Sequence, residues 1–381
     1  MRRRMFIVAG MHRSGTSYLA NVLNILGLKL PKSTLSGASD NIKGHFESSK
    51  IVSFHDDILH SLKLSWDTFH DVPGDWFYSE YAENAVKNLT EIIREDFSGK
   101  GPIVLKDPRL SLFIPLYKDL SKILDYNTYY IIPIRSPDAV AKSLFIRNKI
   151  SMVRSHLIWL NYIFNIEKNT RNEKRSFVFF PDWTGDIELS ISEIERDLQT
   201  KFPNRNNRSI LESQFEFENH LVHSDGSPSD PKNRNNDIEA LALKTLVEIK
   251  KIAKDPDNKK ILLTLNKLRN KFYHLSKNYE SFSIEFENKN HREVNDLKAQ
   301  VSTGEVLAAD LHQQVNNYKD QHDLDSQQIQ EYVQQIEVVN LQIQDKERQL
   351  LDQQSTLDEL TDIVNDLKAQ VSTGEVLAAD L

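Results

Sequence analysis

The sequence predicts an α/β domain built on a mainly parallel sheet, followed by helices and a long C-terminal coiled coil. Three observations carry this. Short apolar runs alternate with longer stretches of helical apolar spacing through the first half of the chain. All 12 prolines lie at or before Pro256, and only Gly304 and Gly374 follow Gly226, so the last third is nearly free of helix breakers. The segment from Val294 to Leu311 recurs without a change at Val364 to Leu381.

The strands come first. Met5 to Ala9 is apolar throughout and ends at Gly10, and Ile103 to Leu105 is entered through Gly99, Gly101 and Pro102. Thr128 to Ile134 and Phe177 to Phe180 follow. Runs without polar alternation suit strands covered on both faces, as in a parallel sheet. Between them, Tyr18, Leu19, Val22, Leu23 and Leu26 mark one helix, and Ala82 to Phe97 and Ala139 to Trp159 mark two more. Strands alternating with helices make the sheet parallel. Residues 204–236 are rich in Asn, Ser, Asp and Arg and read as a loop or linker. Ile238 to Ile252 and Ile261 to Tyr279 return to helical spacing.

The tail is heptad-patterned. With Val294 as position a, the column runs through Val301, Ala308, Val315, His322, Ile329, Ile336 and Ile343 to Ala378, and 12 of its 13 members are apolar. The d column is weaker: Gly304, Asp325, Lys346, Gln353 and Gly374 break it. A seam repeating every 3.5 residues is buried only against another helix, which predicts a coiled coil that self-associates or takes a partner helix. His322 and Asp325 mark a weak or register-setting point. The domains expected are therefore residues 1–225 as the α/β domain, 226–283 as linker and helices, and 284–381 as coiled coil.

Chemistry is expected at Gly10-Met-His-Arg-Ser-Gly-Thr-Ser17, between the first strand and the first helix. Loop N–H groups backed by a helix dipole cradle an anion there. Gly10 and Gly15 have the spacing of the P-loop pattern G-x-x-x-x-G-K-[ST], so the sheet is expected to be P-loop NTPase-like. Thr16 stands at the lysine position, however, and the cation sits earlier, at Arg13. That disfavours a nucleotide kinase or NTPase gripping a β/γ-phosphate with Mg²⁺. Arg135 ends the third strand and Ser143 lies one to two turns into the next helix, so both can face one anion above the carboxyl edge of the sheet.

Four stretches together resemble the sulfotransferase family, whose donor is 3′-phosphoadenosine 5′-phosphosulfate (PAPS). Gly10 to Leu19 is similar to its 5′-phosphosulfate loop, in the arginine version of tyrosylprotein sulfotransferases and many bacterial-type members. Ile134 to Leu144 resembles the 3′-phosphate segment, Lys106-Asp-Pro-Arg109 the K-D-P segment near the donor, and Asn41-x-x-Gly-His-Phe-Glu47 a bacterial-type segment. The resemblance spans roughly residues 5 to 180, with a faint echo at Phe217 to His223. It implies donor contacts from Arg13, Ser14, Gly15, Thr16, Ser17, Arg135 and Ser143, and an acceptor hydroxyl, with a carbohydrate or cell-surface glycan precursor as the acceptor class.

Charge develops on the bridging and equatorial oxygens in sulfuryl transfer, so fixed cations carry catalysis. Arg13 is the first choice and Lys106 the second. An acceptor hydroxyl needs a base; Glu47 is the leading candidate, with His45, Asp107 and His12 as rivals. Glu47 could equally be a helix N-terminal carboxylate beside Ser48 and Ser49, and Asp107 could cap a turn before Pro108. No K-x-H segment of the cytosolic small-molecule type is present, which leaves a histidine base without its usual place. Trp66, Trp76 and His70 could line an acceptor pocket. His55, Asp56, Asp57 and His60 read as a solvated amphipathic helix rather than a metal cluster. A catalytically inactive domain displayed by the coil is the remaining alternative.

Composition bounds the rest. Zero cysteine rules out disulfides, zinc-thiolate sites and cysteine nucleophiles. A net charge of −7 does not suggest a nucleic-acid surface. No apolar run reaches the length of a membrane span, and Met5 to Ala9 is too short for a signal-peptide core. The default expectation is a cytoplasmic protein without a metal.

Overall fold

The structure, a computed structural model, describes residues 2–34, 46–180, 185–206, 237–320 and 326–379. Asn41 to His45, Phe217 to His223, most of the 204–236 loop, His322, Asp325 and the last two residues of the second repeat copy lie outside the described residues. Contacts divide the chain into two units, Met1–Ser276 and Lys277–Leu381.

In the first unit the order is β1 (Arg3–Val8), α1 (Thr16–Ile25), α2 (Ser49–Ser61), a 3₁₀ turn (Gly74–Tyr78), α3 (Glu80–Asp96) and β2 (Ile103–Lys106). A second 3₁₀ turn (Pro108–Leu112), α4 (Ile114–Ile123), β3 (Tyr126–Ile134), α5 (Pro137–Asn148), α6 (Met152–Thr170), β4 (Arg175–Phe179), α7 (Ile187–Leu198) and α8 (Asp237–Lys254) follow. The four strands form one sheet in the order β2-β1-β3-β4. All pairings are parallel, with Val8 beside Lys106 and Ile131, and Ile134 beside Phe179. The α/β architecture with a parallel sheet is thus as the sequence predicts.

Burial explains why apolar runs became strands. Met5, Phe6, Ile7 and Val8 are all fully buried. Phe6, Val8, Val104, Tyr129, Ile131 and Val178 pack with Leu19 and Leu23 of α1 and Ile191 and Ile194 of α7. The alternate residues, Met5, Ile7, Tyr130 and Ile132, point to the opposite face and are fully buried as well. That face is closed by α4 against β3, while α6 packs on α4 and α5, and α8 on α5 and α6. The next helix, α9 (Lys259–Asp320), starts in this unit, where Leu265, Phe272 and Leu275 are buried. The Phe272 ring lies 5.7 Å from that of Phe164.

One helix expected from Ala139 to Trp159 is two. Lys149 adopts φ 57° as the C-cap of α5, and the Ser151 hydroxyl caps α6 by accepting from Arg154 N–H at 3.3 Å. Apolar spacing runs through the break, so spacing alone could not show it.

Order 2-1-3-4 puts β1 at the centre, with the next strand on one side and the third on the other. The crevice between the carboxyl ends of β1 and β3 is therefore a topological switch point, the usual ligand position in such sheets. The loops that begin at Gly10 and at Arg135 are its two lips.

In the second unit, the rest of α9 and α10 (Ser326–Ala379) meet at Gly304. A Cβ at Gly304 would sit 3.0 Å from Ile343 Cγ1. Ala308, Val315 and Ile336 of the a column are buried. Gly304, a break in the d column by sequence, is where the backbone admits a β-branched side chain of the facing helix. No helix among the described residues is long and apolar enough to cross a membrane.

Candidate active site

The loop after β1 is built for close approach. A Cβ at Gly10 would lie 2.8 Å from Pro133 Cγ and 3.0 Å from Thr16 Cγ2, so only glycine lets the first loop residue pass β3 and the helix start. Gly15 sits at φ 81° as the N-cap of α1, a left-handed position that glycine adopts without strain. It offers no capping side chain, and the first N–H groups of a helix lack intrahelical acceptors. Those of α1 therefore face the crevice, where they favour an anion. Ser14 and Thr16 are buried within the loop, and Ser17 is half-buried at the first turn of α1.

Arg13 also lies in the left-handed region, at φ 67°. A non-glycine residue held there marks a strained and often functional turn. Its Nε donates to Ser143 Oγ at 2.8 Å, and its carbonyl accepts from Arg135 Nη1 at 3.2 Å. The structure thus joins Arg13 to Arg135 and Ser143 across the switch point, although they lie 122 and 130 residues from it in sequence. Arg135 is braced further: its guanidinium lies 4.8 Å over the Phe180 ring, and its carbonyl accepts from Trp159 Nε1 at 3.1 Å.

Lys106, the last residue of β2, adds a third cation on the other side of the loop. Its Nζ donates to Ser17 Oγ at 3.0 Å and makes a short ion pair with Glu47 Oε1. Both charged side chains are nearly buried, at 3% and 9% exposure. Glu47 does not serve as the helix cap: Ser48 does, accepting from Ile51 N–H at 3.1 Å. Phe46, just before it, is held at φ 55°, which is rare for an aromatic residue and fixes the direction from which Glu47 enters the site. Burial pushes the Glu47 carboxyl up, Lys106 opposes this, Asp107 adds to it, and the net direction is upward.

Asp107 is used structurally. Its Oδ1 accepts from the N–H of Arg109 at 3.1 Å, capping the turn at Pro108, and from Arg109 Nη1 at 3.1 Å. Its Oδ2 pairs with His55 Nδ1 at 2.6 Å. Burial alone would raise this carboxyl, but the His55 hydrogen bond and the nearby positive charges hold it well below the usual carboxylate range. His55 Nε2 in turn meets the Tyr117 hydroxyl at 3.0 Å. His55 is fully buried on the inward stripe of α2 with Ile51 and Leu59, not solvated. Periodicity from Ile51 contained that signal; the partner, 52 residues away, did not show in the sequence. Arg109 extends the network to Asp56 Oδ1 at 2.6 Å.

His12 stands beside this network. Its ring lies 4.6 Å from Trp66 and 6.2 Å from Tyr162. Its Nε2 is buried and has no hydrogen-bond partner among the described residues. Burial first, then the charges of Arg109, Lys106 and Arg147, hold its pKa well below 6.5, so the imidazole is neutral. Trp66 is thus at the site, half-buried. Trp76 packs 6.1 Å from Phe113 instead, and His70 lies against Phe69 at 4.4 Å.

No family model and no curated protein matches this chain. Among solved structures it is similar to the sulfotransferase domain from the Synechococcus PCC 7002 olefin synthase, at 15% identity and a TM-score of 0.35. That likeness spans 65% of this chain and 96% of the domain.

Proposed function

We propose that this chain is a PAPS-dependent sulfotransferase acting on an acceptor hydroxyl, with a carbohydrate as the acceptor class. The observation that carries the reading is the meeting of two arginines, a lysine, two hydroxyls and a free helix N-terminus at the switch point. Residues 10–17 would receive the 5′-phosphosulfate, and Arg135 with Ser143 the 3′-phosphate. Thr16 at the P-loop lysine position, and Lys106 placed beside Ser17 rather than in the loop, suit this donor better than a nucleoside triphosphate with Mg²⁺.

Bound PAPS supplies the sulfuryl group, and the chain's residues do the rest. Arg13 holds positive charge against the bridging oxygen, where the bond from sulfur breaks. An arginine does not give up a proton readily, so its role is electrostatic. Lys106 adds charge at the same oxygens. Glu47 accepts the proton of the acceptor hydroxyl as its oxygen bonds to sulfur, and PAP leaves as the anion. A carboxylate must be ionised to act as base, so turnover rises with pH through the raised pKa of Glu47. Trp66 offers a flat apolar face beside His12 on which a sugar ring can stack.

Calorimetric titration of the full chain with PAP, and with ATP plus Mg²⁺, tests the reading. Micromolar PAP binding, about −8 kcal/mol, that is lost in Arg135→Ala and absent for ATP is the expected result. Tight Mg-ATP binding without a preference for PAP would overturn it in favour of a kinase. Binding of neither would leave a scaffold.

A further inference from the structure

Lys106 has two partners of opposite kind among the described residues. Its one ammonium donates to Ser17 in the first turn of α1 and to the Glu47 carboxylate, and neither side chain of the ion pair has appreciable access to water. We infer that filling the donor loop is coupled to protonation of Glu47, with Lys106 as the residue that transmits the coupling. The inference rests on the donor-site reading above.

The physical argument begins with charge. A lysine ammonium is a compact point charge with three donors. An anion seated on the N-terminal amides of α1 lies within reach of the same ammonium through Ser17. The donor brings more than one negative charge, whereas Glu47 brings one, so the donor takes the larger share of Lys106. A nearly buried carboxylate that loses its counter-ion is costly and recovers by binding a proton.

Glu47 cannot follow the lysine. Phe46 is fixed in the left-handed region directly before it, and Ser48 directly after it is the cap of α2, also hydrogen-bonded to Asp96 Oδ2 at 2.5 Å. The backbone that carries the carboxylate is thus fixed on both sides, whereas the ammonium reaches it on a four-carbon stem. The charged groups facing Glu47 are Lys106 and Asp107 from the end of β2 and Arg109 from the turn after it. Asp107 stays ionised, bound by His55 and Arg109, and Arg109 stays charged. Within this group Glu47 is therefore the member that titrates.

Coupling of this kind is reciprocal. Donor binding raises the affinity of Glu47 for a proton, and a protonated Glu47 releases Lys106 and tightens the donor. Above its raised pKa, Glu47 in the donor complex is a stronger base than in the free protein. The acceptor is then deprotonated only after the donor has taken Lys106, which gives a donor-first sequence. The acid limb of kcat, measured in the complex, lies at higher pH than the proton-binding step of the free protein.

The test is PAP binding to the full chain by calorimetry in two buffers of different ionisation enthalpy, from pH 5.5 to 7.5. The phosphates of PAP titrate in the same range, so the readout is the difference between wild type and Glu47→Gln. Because a single substitution in a buried pair can unfold the chain, Glu47→Gln with Lys106→Gln, which removes both charges, is the second reference. The expected result is an extra uptake of roughly half a proton by the wild type, with PAP affinity rising at least threefold more on acidification than in either reference. PAP binding with the same proton count in wild type and references would overturn the coupling while leaving the donor site standing. Failure of the wild type to bind PAP at all would overturn the donor site and the coupling together.

Discussion

The carboxyl edge of the sheet and the paired helices of the second unit solve opposite problems. At the sheet edge, charged and polar groups are buried and then satisfied by one another: Lys106 by Glu47 and Ser17, Asp107 by His55 and Arg109, Arg13 by Ser143. In the paired helices the described contact is apolar, and its one unusual feature is a missing side chain, at Gly304. The first region depends on partners far apart in sequence. The second depends on a local repeat. A functional edge is thus recognised by which polar groups are buried, and a packing seam by which side chains are small.

The comparison breaks most visibly at Gly10. Gly10→Val places a branched side chain where a single Cβ already falls 2.8 Å from Pro133. PAP binding should be lost altogether, with thermal unfolding lowered as well, both measurable on one purified sample. Next comes Lys106→Gln. Removing one partner of a buried ion pair costs about 3–5 kcal/mol, and chemical denaturation should show it; the double variant with Glu47→Gln should recover most of that loss. If it recovers nothing, Glu47 and Lys106 are not a buried pair. Arg13→Ala should leave the melting temperature nearly unchanged and lower kcat by about 10²–10³-fold, which separates an electrostatic role from a structural one.

Smaller effects sharpen the contrast. Gly304→Leu should cost about 1–3 kcal/mol in the second unit, seen as an earlier helical transition by circular dichroism, while PAP affinity in the first unit stays constant. The acid side of the stability curve supplies another contrast. Asp107 is ionised far below its ordinary range when folded, so its contribution is fully present above the unfolded carboxylate pKa. It fades as pH falls below that value. Asp107→Asn should therefore lower stability at neutral pH and flatten its decline on acidification, whereas Gly304→Leu should shift the curve without flattening it.

Much of this molecule is legible in its sequence, for identifiable reasons. The strands from Met5, Ile103, Thr128 and Phe177 fall within one or two residues of those observed, because a strand buried on both faces must be apolar at every position. The loop of Gly10 to Ser17 is legible because a tight turn under a helix leaves few choices of residue. Arg13, Arg135, Ser143, Lys106 and Glu47 can each be named from the sequence, but their contacts cannot. The burial of His55 is written in the spacing from Ile51 to Leu59, but its partner Asp107 is illegible because it lies on another element. The meeting of α9 and α10 is half-written in the d column: Gly304 breaks a rule for a continuous seam because it answers to Ile343. The helix break at Lys149 was also there, in Ser151 as a cap, beneath an apolar spacing that runs through it.

The ring contact between Trp66 and His12 gives the site an optical handle. An indole packed against an imidazole is partly quenched, and more so when the imidazole is charged. Because His12 stays neutral to well below pH 6.5, emission from Trp66 in a background lacking the other three tryptophans is insensitive to titration of that ring near neutral pH. It reports instead on movement of the residue that precedes Arg13. A dye-free stopped-flow signal at the loop is thus built into the chain, and it can time ligand arrival independently of any product assay.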